Sequence, residues 1–291
     1  MADQQIRFRA VFVAAPKTGK TGALAALVNT GKYRVIVAAF DPGADVLYSY
    51  IEPEHRDHLF ILPYEDRRGF ADTKVMVDVI GEAKAFTKFL TFLDTGKARR
   101  DTGEIVDLGA AESWGPDTIL VLDNLTSLSK AAYAAYLSRR GKNRAALNRK
   151  DWGLAAAEVD ETLITLTSSY FKFHIIVLAH WKVQGPREWE DEDKNDPEKT
   201  DYNNEIRQRE AELIPTKMVP VSIGRQLSAN LVYHFPTVVW GEVTEDGRRI
   251  FNLKPVSVRD VGLPVKPGRL PNTLPIETGM LDIFNAVIGA E

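Results

Sequence analysis

The chain has 291 residues, 44% of them hydrophobic and 26% charged, with a net charge of −3 and no cysteine. That length fits one large domain or a core with an appendage, and the composition is that of a globular protein. The charge balance excludes a global basic field for nucleic acid, the missing cysteines exclude disulfides and thiolate zinc sites, and no apolar run approaches the ~20 residues of a membrane-spanning helix. The opening Met1-Ala2-Asp3-Gln4-Gln5 has neither a basic nor an apolar leader segment. The expectation is a soluble, cytoplasmic protein with no membrane partner.

The first predicted element is a strand over Phe8-Arg9-Ala10-Val11-Phe12-Val13. It runs into Ala14-Ala15-Pro16-Lys17-Thr18-Gly19-Lys20-Thr21-Gly22 and a helix expected over 21–29. Strand, tight loop, Gly-Lys-Thr and helix make a phosphate-binding loop (P-loop) in the context it requires. The expected nucleotide-binding residues are Ala15, Pro16, Lys17, Thr18, Gly19, Lys20, Thr21 and Gly22. Backbone N–H groups of the loop and the helix dipole favour the negative phosphates. Lys20 is placed to reach the β- and γ-phosphates, and the Thr21 hydroxyl to ligate Mg²⁺, so ATP and Mg²⁺ are the expected cofactors. Ala14 stands where the strict pattern has Gly, but a small residue suffices where the strand bends, and Gly19 is retained.

Four further apolar runs read as strands: Arg34-Val35-Ile36-Val37-Ala38-Ala39-Phe40, His58-Leu59-Phe60-Ile61-Leu62, Thr118-Ile119-Leu120-Val121-Leu122 and His174-Ile175-Ile176-Val177-Leu178-Ala179. They are continuously apolar, as parallel strands covered on both faces must be. Helical patterns over 21–29, 74–93, 127–137 and 152–170 separate them. This alternation predicts an α/β fold with a mostly parallel central sheet flanked by helices. The Gly-containing, polar stretch 96–116 reads as an exposed loop or small insertion, and the acidic stretch 185–212 as a mobile loop. Residues 219–243 and 249–258 look β-rich, with Glu245-Asp246-Gly247 as a hairpin turn. A proline-rich stretch then leads into a final helix over 280–288. The predicted division is a nucleotide-binding core over 1–258 and a C-terminal extension over 259–291.

The run Ile119-Leu120-Val121-Leu122-Asp123 supplies the second half of the nucleotide signature. A carboxylate ending a buried strand next to the P-loop strand can hold Mg²⁺ through water. The same Asp123 reads as a cap, because Asn124-Leu125-Thr126-Ser127 leads straight into a helix. Asp41 ends the second strand on the rim where open α/β sheets bind ligands, and is the candidate to orient the attacking water. A turn-forming Asp before Pro42-Gly43 is the equal alternative. His180 ends the fourth strand on that rim, as a γ-phosphate contact that signals to the acidic loop or as a structural histidine. Lys20, Asp41, Asp123 and His180 are thus the candidate catalytic residues. Arg139, Arg140, Lys142 and Arg144 form a basic stretch continuing to Arg149-Lys150, suited to phosphates of single-stranded DNA or to plain solvation. In a ring or filament, Lys254 or Arg259 can act as a trans finger on a neighbour's γ-phosphate. Arg225 reads as a phosphate contact or a loop cap.

Ala14 to Thr21, Phe40-Asp41-Pro42-Gly43, Ile119 to Asn124 and Ile175 to His180 together resemble the RecA-like ATPase core. The nearest resemblance is to compact phage-encoded ATP-binding proteins related to RecA and Rad51 that act in recombination and single-strand annealing. It covers about the first 180 residues and, loosely, 219–274. The resemblance implies a RecA-like core over 1–258 with insertions near 96–116 and 185–212, and a β-rich C-terminal extension. It implies ATP and Mg²⁺ at Lys20, Thr21 and Asp123, with Asp41 as the water-activating acid where RecA has a Glu. It implies a homo-oligomeric ring or filament, single-stranded DNA, a recombination or replication partner protein, and the host cytoplasm if phage-encoded. The 139–150 and 185–212 stretches occupy the places of two DNA-facing loops, although acidity in the second is opposite to what gripping DNA requires. Three uses of the nucleotide stay open: an ATPase assembling on single-stranded DNA, a helicase-like or packaging motor, and a nucleotide-gated scaffold with little turnover.

Overall fold

The computed structural model describes residues 6–66, 68–70, 77–79, 82–141, 149–184, 217–221, 233–255, 261–266 and 268–289. In chain order its elements begin with β1 (Arg9–Ala14), a 3₁₀ turn (Gly22–Leu24), α1 (Ala25–Val28), β2 (Arg34–Ala39) and β3 (Leu59–Pro63). There follow β4 (Arg68–Phe70), β5 (Val77–Val79), α2 (Ala85–Thr95), β6 (Lys97–Arg99), β7 (Ile105–Asp107), β8 (Thr118–Asp123) and α3 (Leu125–Arg139). Next come α4 (Arg149–Thr167), β9 (His174–Ala179), β10 (Trp181–Gln184), β11 (Lys217–Pro220) and β12 (Thr237–Val243). The chain closes with β13 (Arg249–Asn252), β14 (Thr273–Pro275) and α5 (Ile276–Ile288).

Eight strands form one sheet in the order β14-β13-β12-β1-β9-β8-β2-β3. The six from β12 to β3 run parallel, while β13 and β14 add an antiparallel edge. Successive side chains of a strand point to opposite faces. Val11, Val13, Ile36, Leu120, Leu122, Ile175 and Val177 accordingly join one apolar cluster with Phe86 and Phe89 of α2, Leu128 of α3 and Leu163 of α4. Their neighbours Ala10, Phe12, Val35, Val37, Ile119, Val121, Ile176 and Leu178 join another with Leu24, Leu27 and, from α5, Ile283 and Phe284. Burial on both faces is why the middles of these strands are continuously apolar. The fold is therefore the expected α/β one, a mostly parallel sheet flanked by helices with antiparallel strands toward the C-terminal end. β14 and α5, which lie in the 259–291 stretch, extend that sheet and cover one of its faces.

Several expectations need correction. The helix expected over 74–93 is confined to Ala85–Thr95 among the described residues, and Val77–Val79 is a strand paired with Arg68–Phe70. Valines alternating with Asp78 fit a pleated ribbon better than a helix. The 96–116 stretch, expected as an exposed loop or small insertion, carries regular structure. β6 and β7 pair as a hairpin, and Trp114, 1% exposed, packs on Phe92 and Phe173 with centroids 5.5 and 5.3 Å away. Its indole N–H is shared between the carbonyls of Leu108 and Gly109, 3.0 and 2.8 Å away, so the polar partner of a buried indole is local backbone. The last helix starts at Ile276, one turn before the expected 280. The 185–212 stretch, Lys142, Arg144, Arg225 and Arg259 lie outside the described residues.

Strand order brings the most consequential correction. Asp123 was expected on a strand next to the P-loop strand, but β1 pairs with β9 and β12, and β8 lies one strand further out. The intervening strand is the one that ends at His180. No described helix is long and apolar enough to cross a membrane.

Candidate nucleotide-binding site

The loop between β1 and the first helical turn is shaped by two left-handed residues, Lys17 at φ 64° and Gly19 at φ 99°. Glycine adopts the second without penalty, which accounts for its retention there. Thr18, 2% exposed, donates its hydroxyl to the Ala15 carbonyl at 2.9 Å and closes the loop on itself. Lys20 turns back beneath the loop. It is 6% exposed, and its ammonium donates to the carbonyls of Ala14 and Ala15, each at 2.9 Å. No carboxylate forms an ion pair with it among the described residues. Burial lowers its pKa to about 8, against the opposing pull of the Asp123 charge.

Across the P-loop from Lys20, the Thr21 hydroxyl donates to Asp123 Oδ2 at 3.0 Å. Asp123 is 7% exposed, and burial raises its pKa to about 6. The Thr21 hydrogen bond and Lys20 oppose that rise, while the nearby Asp41 charge adds to it. Asp41 is engaged by both oxygens: one accepts from the Asn124 amide, the other from the Ser127 hydroxyl. Asn124 also caps α3, its Oδ1 accepting from the Ser127 N–H at 3.1 Å.

His180 fills the gap created by the intervening β9. Its Nδ1 lies 3.4 Å from both the Lys20 ammonium and the Ala14 carbonyl, and its Nε2 lies 3.4 Å from the Asn124 amide. A ring protonated at Nδ1 donates to Ala14 and accepts from Asn124. The other tautomer accepts from Lys20 but turns N–H against N–H at Asn124, so the first satisfies more contacts. Burial, then the Lys20 charge, lowers the His180 pKa and keeps the ring neutral near pH 7.

The structure thus gathers Lys20, Thr21, Asp123, Asp41 and His180 on one rim of the sheet. It does not gather the others. Arg139 is ion-paired to Glu158 at 2.5 Å on the outside of α4, and Arg140 lies over the Tyr136 ring at 5.6 Å. Lys254 follows β13 on the side of the sheet away from the P-loop: extending the β12–β13 register sets it level with Val238, which pairs with Val11 inside β1. Asn124 and Ser127, read in the sequence only as the lead into a helix, belong to the rim network, and their spacing from Asp123 is the signal that marks them. Arg249 and Tyr50 carry no such signal. A Cβ built on Gly19 would meet Arg249 Cδ and Nη1 at 3.7 Å, and one on Gly22 would meet the Tyr50 ring at 3.5 Å. Both contacts join distant parts of the chain.

Two features test the fit to a magnesium nucleotide. Among the described residues, a buried ammonium bonded to two carbonyls and paired with no carboxylate keeps unspent positive charge, and a loop with left-handed glycine beside a helix start turns amides toward an anion. The Thr21–Asp123 pair is an oxygen-only donor set, the type Mg²⁺ prefers. These residues fit the group: Lys20 and the loop amides would hold the phosphates, and Thr21 and Asp123 the metal.

No protein-family model and no curated protein matches the chain. Solved structures of a recombinase and of two ATPases align with it. The RadB recombinase aligns with a TM-score of 0.38 and 14% identity over 87% of this chain and 84% of its own. A prototypical ATPase from the type III secretion system of pathogenic bacteria aligns with a TM-score of 0.36 and 14% identity over 83% of this chain. The chain spans about half of that ATPase, 53% of its length. EscN of enteropathogenic E. coli, solved with its central stalk EscO, gives a TM-score of 0.35 and 16% identity over 60% of this chain and 38% of its own. Such likenesses carry no argument, and the reading of activity rests on the site alone.

Proposed function

We propose that the chain is a Mg²⁺-dependent P-loop ATPase of the RecA-like kind that acts on single-stranded DNA in phage recombination or replication. The observation that carries the nucleotide reading is the buried, carboxylate-free Lys20 beside the Thr21–Asp123 pair. Bound nucleotide supplies the transferable phosphoryl group and the metal neutralises its charge. Lys20 and the loop amides hold the phosphates, Asp41 orients water, and neutral His180 relays the state of the site to β10, which follows it directly. The Val221 N–H donates to the His180 carbonyl at 2.7 Å, so the β10–β11 ribbon is closed at its base, where it leaves that rim.

The DNA reading rests on the resemblance and on the basic stretch Arg139, Arg140, Lys142 and Arg144, pooled over a homo-oligomer, with Lys254 or Arg259 reaching a neighbouring site. A second reading has one observation in its favour. Both oxygens of Asp41 are occupied by Asn124 and Ser127, which suits a nucleotide-gated scaffold with slow turnover. An ATPase assay with and without single-stranded DNA, beside a mass measurement of the assembly, separates them. Turnover raised several-fold by DNA, in a species larger than one subunit and falling with salt, is expected. Tight ATP binding without turnover would replace the enzyme by the scaffold, and directional strand unwinding would replace both by a motor.

A further inference from the structure

Arg248 and Arg249 are adjacent cations with different surroundings. Arg248 is in the β12–β13 turn region and its guanidinium is ion-paired with Asp246 at 2.6 Å. Arg249 begins β13, pairs in register with Val243, and is exposed. Gly241, two residues before Val243, pairs with Ala14, the last residue of β1. The antiparallel register therefore lifts Arg249 past the end of β1, level with the P-loop. Its side chain comes within 3.7 Å of the space a Cβ on Gly19 would occupy, and Ile276 at the start of α5 comes within 3.5 Å. Among the described residues the Arg249 guanidinium makes no hydrogen bond or ion pair. A cleft of about 550 Å³ opens beside it, lined by Ile250, Thr273, Pro275 and Glu277 as well as Arg249.

The position of Arg249 relative to the rest of the site limits what it can touch. Asp123, Asp41 and His180 terminate, or lie just past, β8, β2 and β9, on one flank of β1; β13 lies beyond β12 on the other. The metal-holding and water-orienting groups are thus on the flank away from Arg249. Gly19 belongs to the part of the loop whose amides cradle the α- and β-phosphates. A guanidinium there is a planar fork suited to two phosphate oxygens.

From these observations we propose that Arg249 is a nucleotide-binding residue acting within its own subunit, gripping the α/β-phosphate end against the P-loop. This rests on the nucleotide-binding reading above. It assigns a cis contact to the C-terminal strands, distinct from the trans role expected of Lys254 or Arg259. Because the α- and β-phosphates are common to substrate and product, Arg249 tightens ATP and ADP alike and leaves the chemical step alone.

The test measures ADP and ATP binding by titration calorimetry with Mg²⁺ present, on the wild type and on Arg249→Ala, Arg249→Lys, Arg248→Ala and Lys20→Met. Arg249→Ala should weaken both nucleotides by about tenfold, the scale of one lost charge-assisted contact. Arg249→Lys should restore part of that loss, and Arg248→Ala none should be seen to lose. The melting temperature without nucleotide should stay near the wild-type value for Arg249→Ala, since the side chain is exposed. Unchanged ADP binding by Arg249→Ala, with Lys20→Met still defective, overturns this assignment and leaves the P-loop reading standing. A loss in turnover with ADP affinity intact overturns it in favour of a γ-phosphate role. A wild type that binds neither nucleotide removes the P-loop reading and this one with it.

Discussion

Lys20 and Arg139 are both cations that the sequence marks for phosphate, yet the fold treats them in opposite ways. Arg139 is half-exposed and its guanidinium is already paired with Glu158 at 2.5 Å. Lys20 is 6% exposed and, among the described residues, lies against two carbonyls and an imidazole with no carboxylate paired to it. An exposed ion pair contributes about 0–1 kcal/mol and is screened by salt. A buried ammonium not paired directly with a carboxylate costs stability that an arriving anion can offset. A binding site is thus recognisable less by the number of its charges than by how incompletely the protein neutralises them.

The sharpest way to break this comparison is Lys20→Met, which keeps the side-chain length and removes the charge. Nucleotide affinity should fall by about 100-fold, the size of losing charge-assisted bonds to phosphate. Without nucleotide, the variant should melt at or above the wild-type temperature, because an apolar isostere relieves the burial of charge. A variant that binds nucleotide normally, or unfolds well below the wild type, would make Lys20 a structural residue and erase its contrast with Arg139.

The second test uses proton linkage. Burial lifts the Asp123 carboxyl from 3.8 to about 6, so the folded state holds its proton more tightly than the unfolded chain. Its contribution to stability is complete below pH 3.8 and is lost as pH rises through about 6. Lys20, lowered from 10.5 to about 8, is the reverse case: its contribution is present above 10.5 and lost as pH falls through about 8. Both therefore cost stability at neutral pH. The ionised pair is also what a magnesium nucleotide needs, so affinity should follow a bell, rising through about pH 6 and falling above about pH 8. Asp123→Asn should remove the acid limb of the bell and raise the neutral-pH melting temperature without nucleotide. A flat profile between those limits would detach both groups from binding.

How far the sequence discloses this arrangement depends on the range of the interactions. β1, β2, β3, β8 and β9 are legible because each is covered on both faces and so is continuously apolar in its middle. The P-loop is legible because left-handed Gly19, Lys20 and Thr21 are neighbours in the chain. Strand order is not local: nothing in the residues of β9 says that it inserts between β1 and β8 and carries His180 between Lys20 and Asn124. Trp114 shows the same limit, since its polar, Gly-containing surroundings look like a loop while its ring plugs a gap between Phe92 and Phe173. Val77 and Val79 were misread because apolar residues in a helix-rich stretch fit two periods, and only the pairing with Arg68–Phe70 decides between them. Arg249 is the extreme case, since an antiparallel register more than two hundred positions downstream sets its approach to Gly19.

The smallest effect belongs to the other member of the opening pair. Arg139→Ala removes an exposed ion pair with Glu158, so the fold should lose no more than about 0.5 kcal/mol, a shift of about 1–2 °C in melting temperature. ADP binding should be untouched, because neither residue of the pair belongs to the rim that holds Lys20. The informative partner is Glu158→Gln, which frees the Arg139 guanidinium without removing it. If the pair is solvated surface and no more, both variants bind single-stranded DNA as the wild type does. If the basic stretch serves a DNA strand, Arg139→Ala weakens that binding and reduces its salt slope by about one, while Glu158→Gln strengthens it at low salt. Opposite signs from two substitutions at one contact are something a purely structural ion pair has no means of producing.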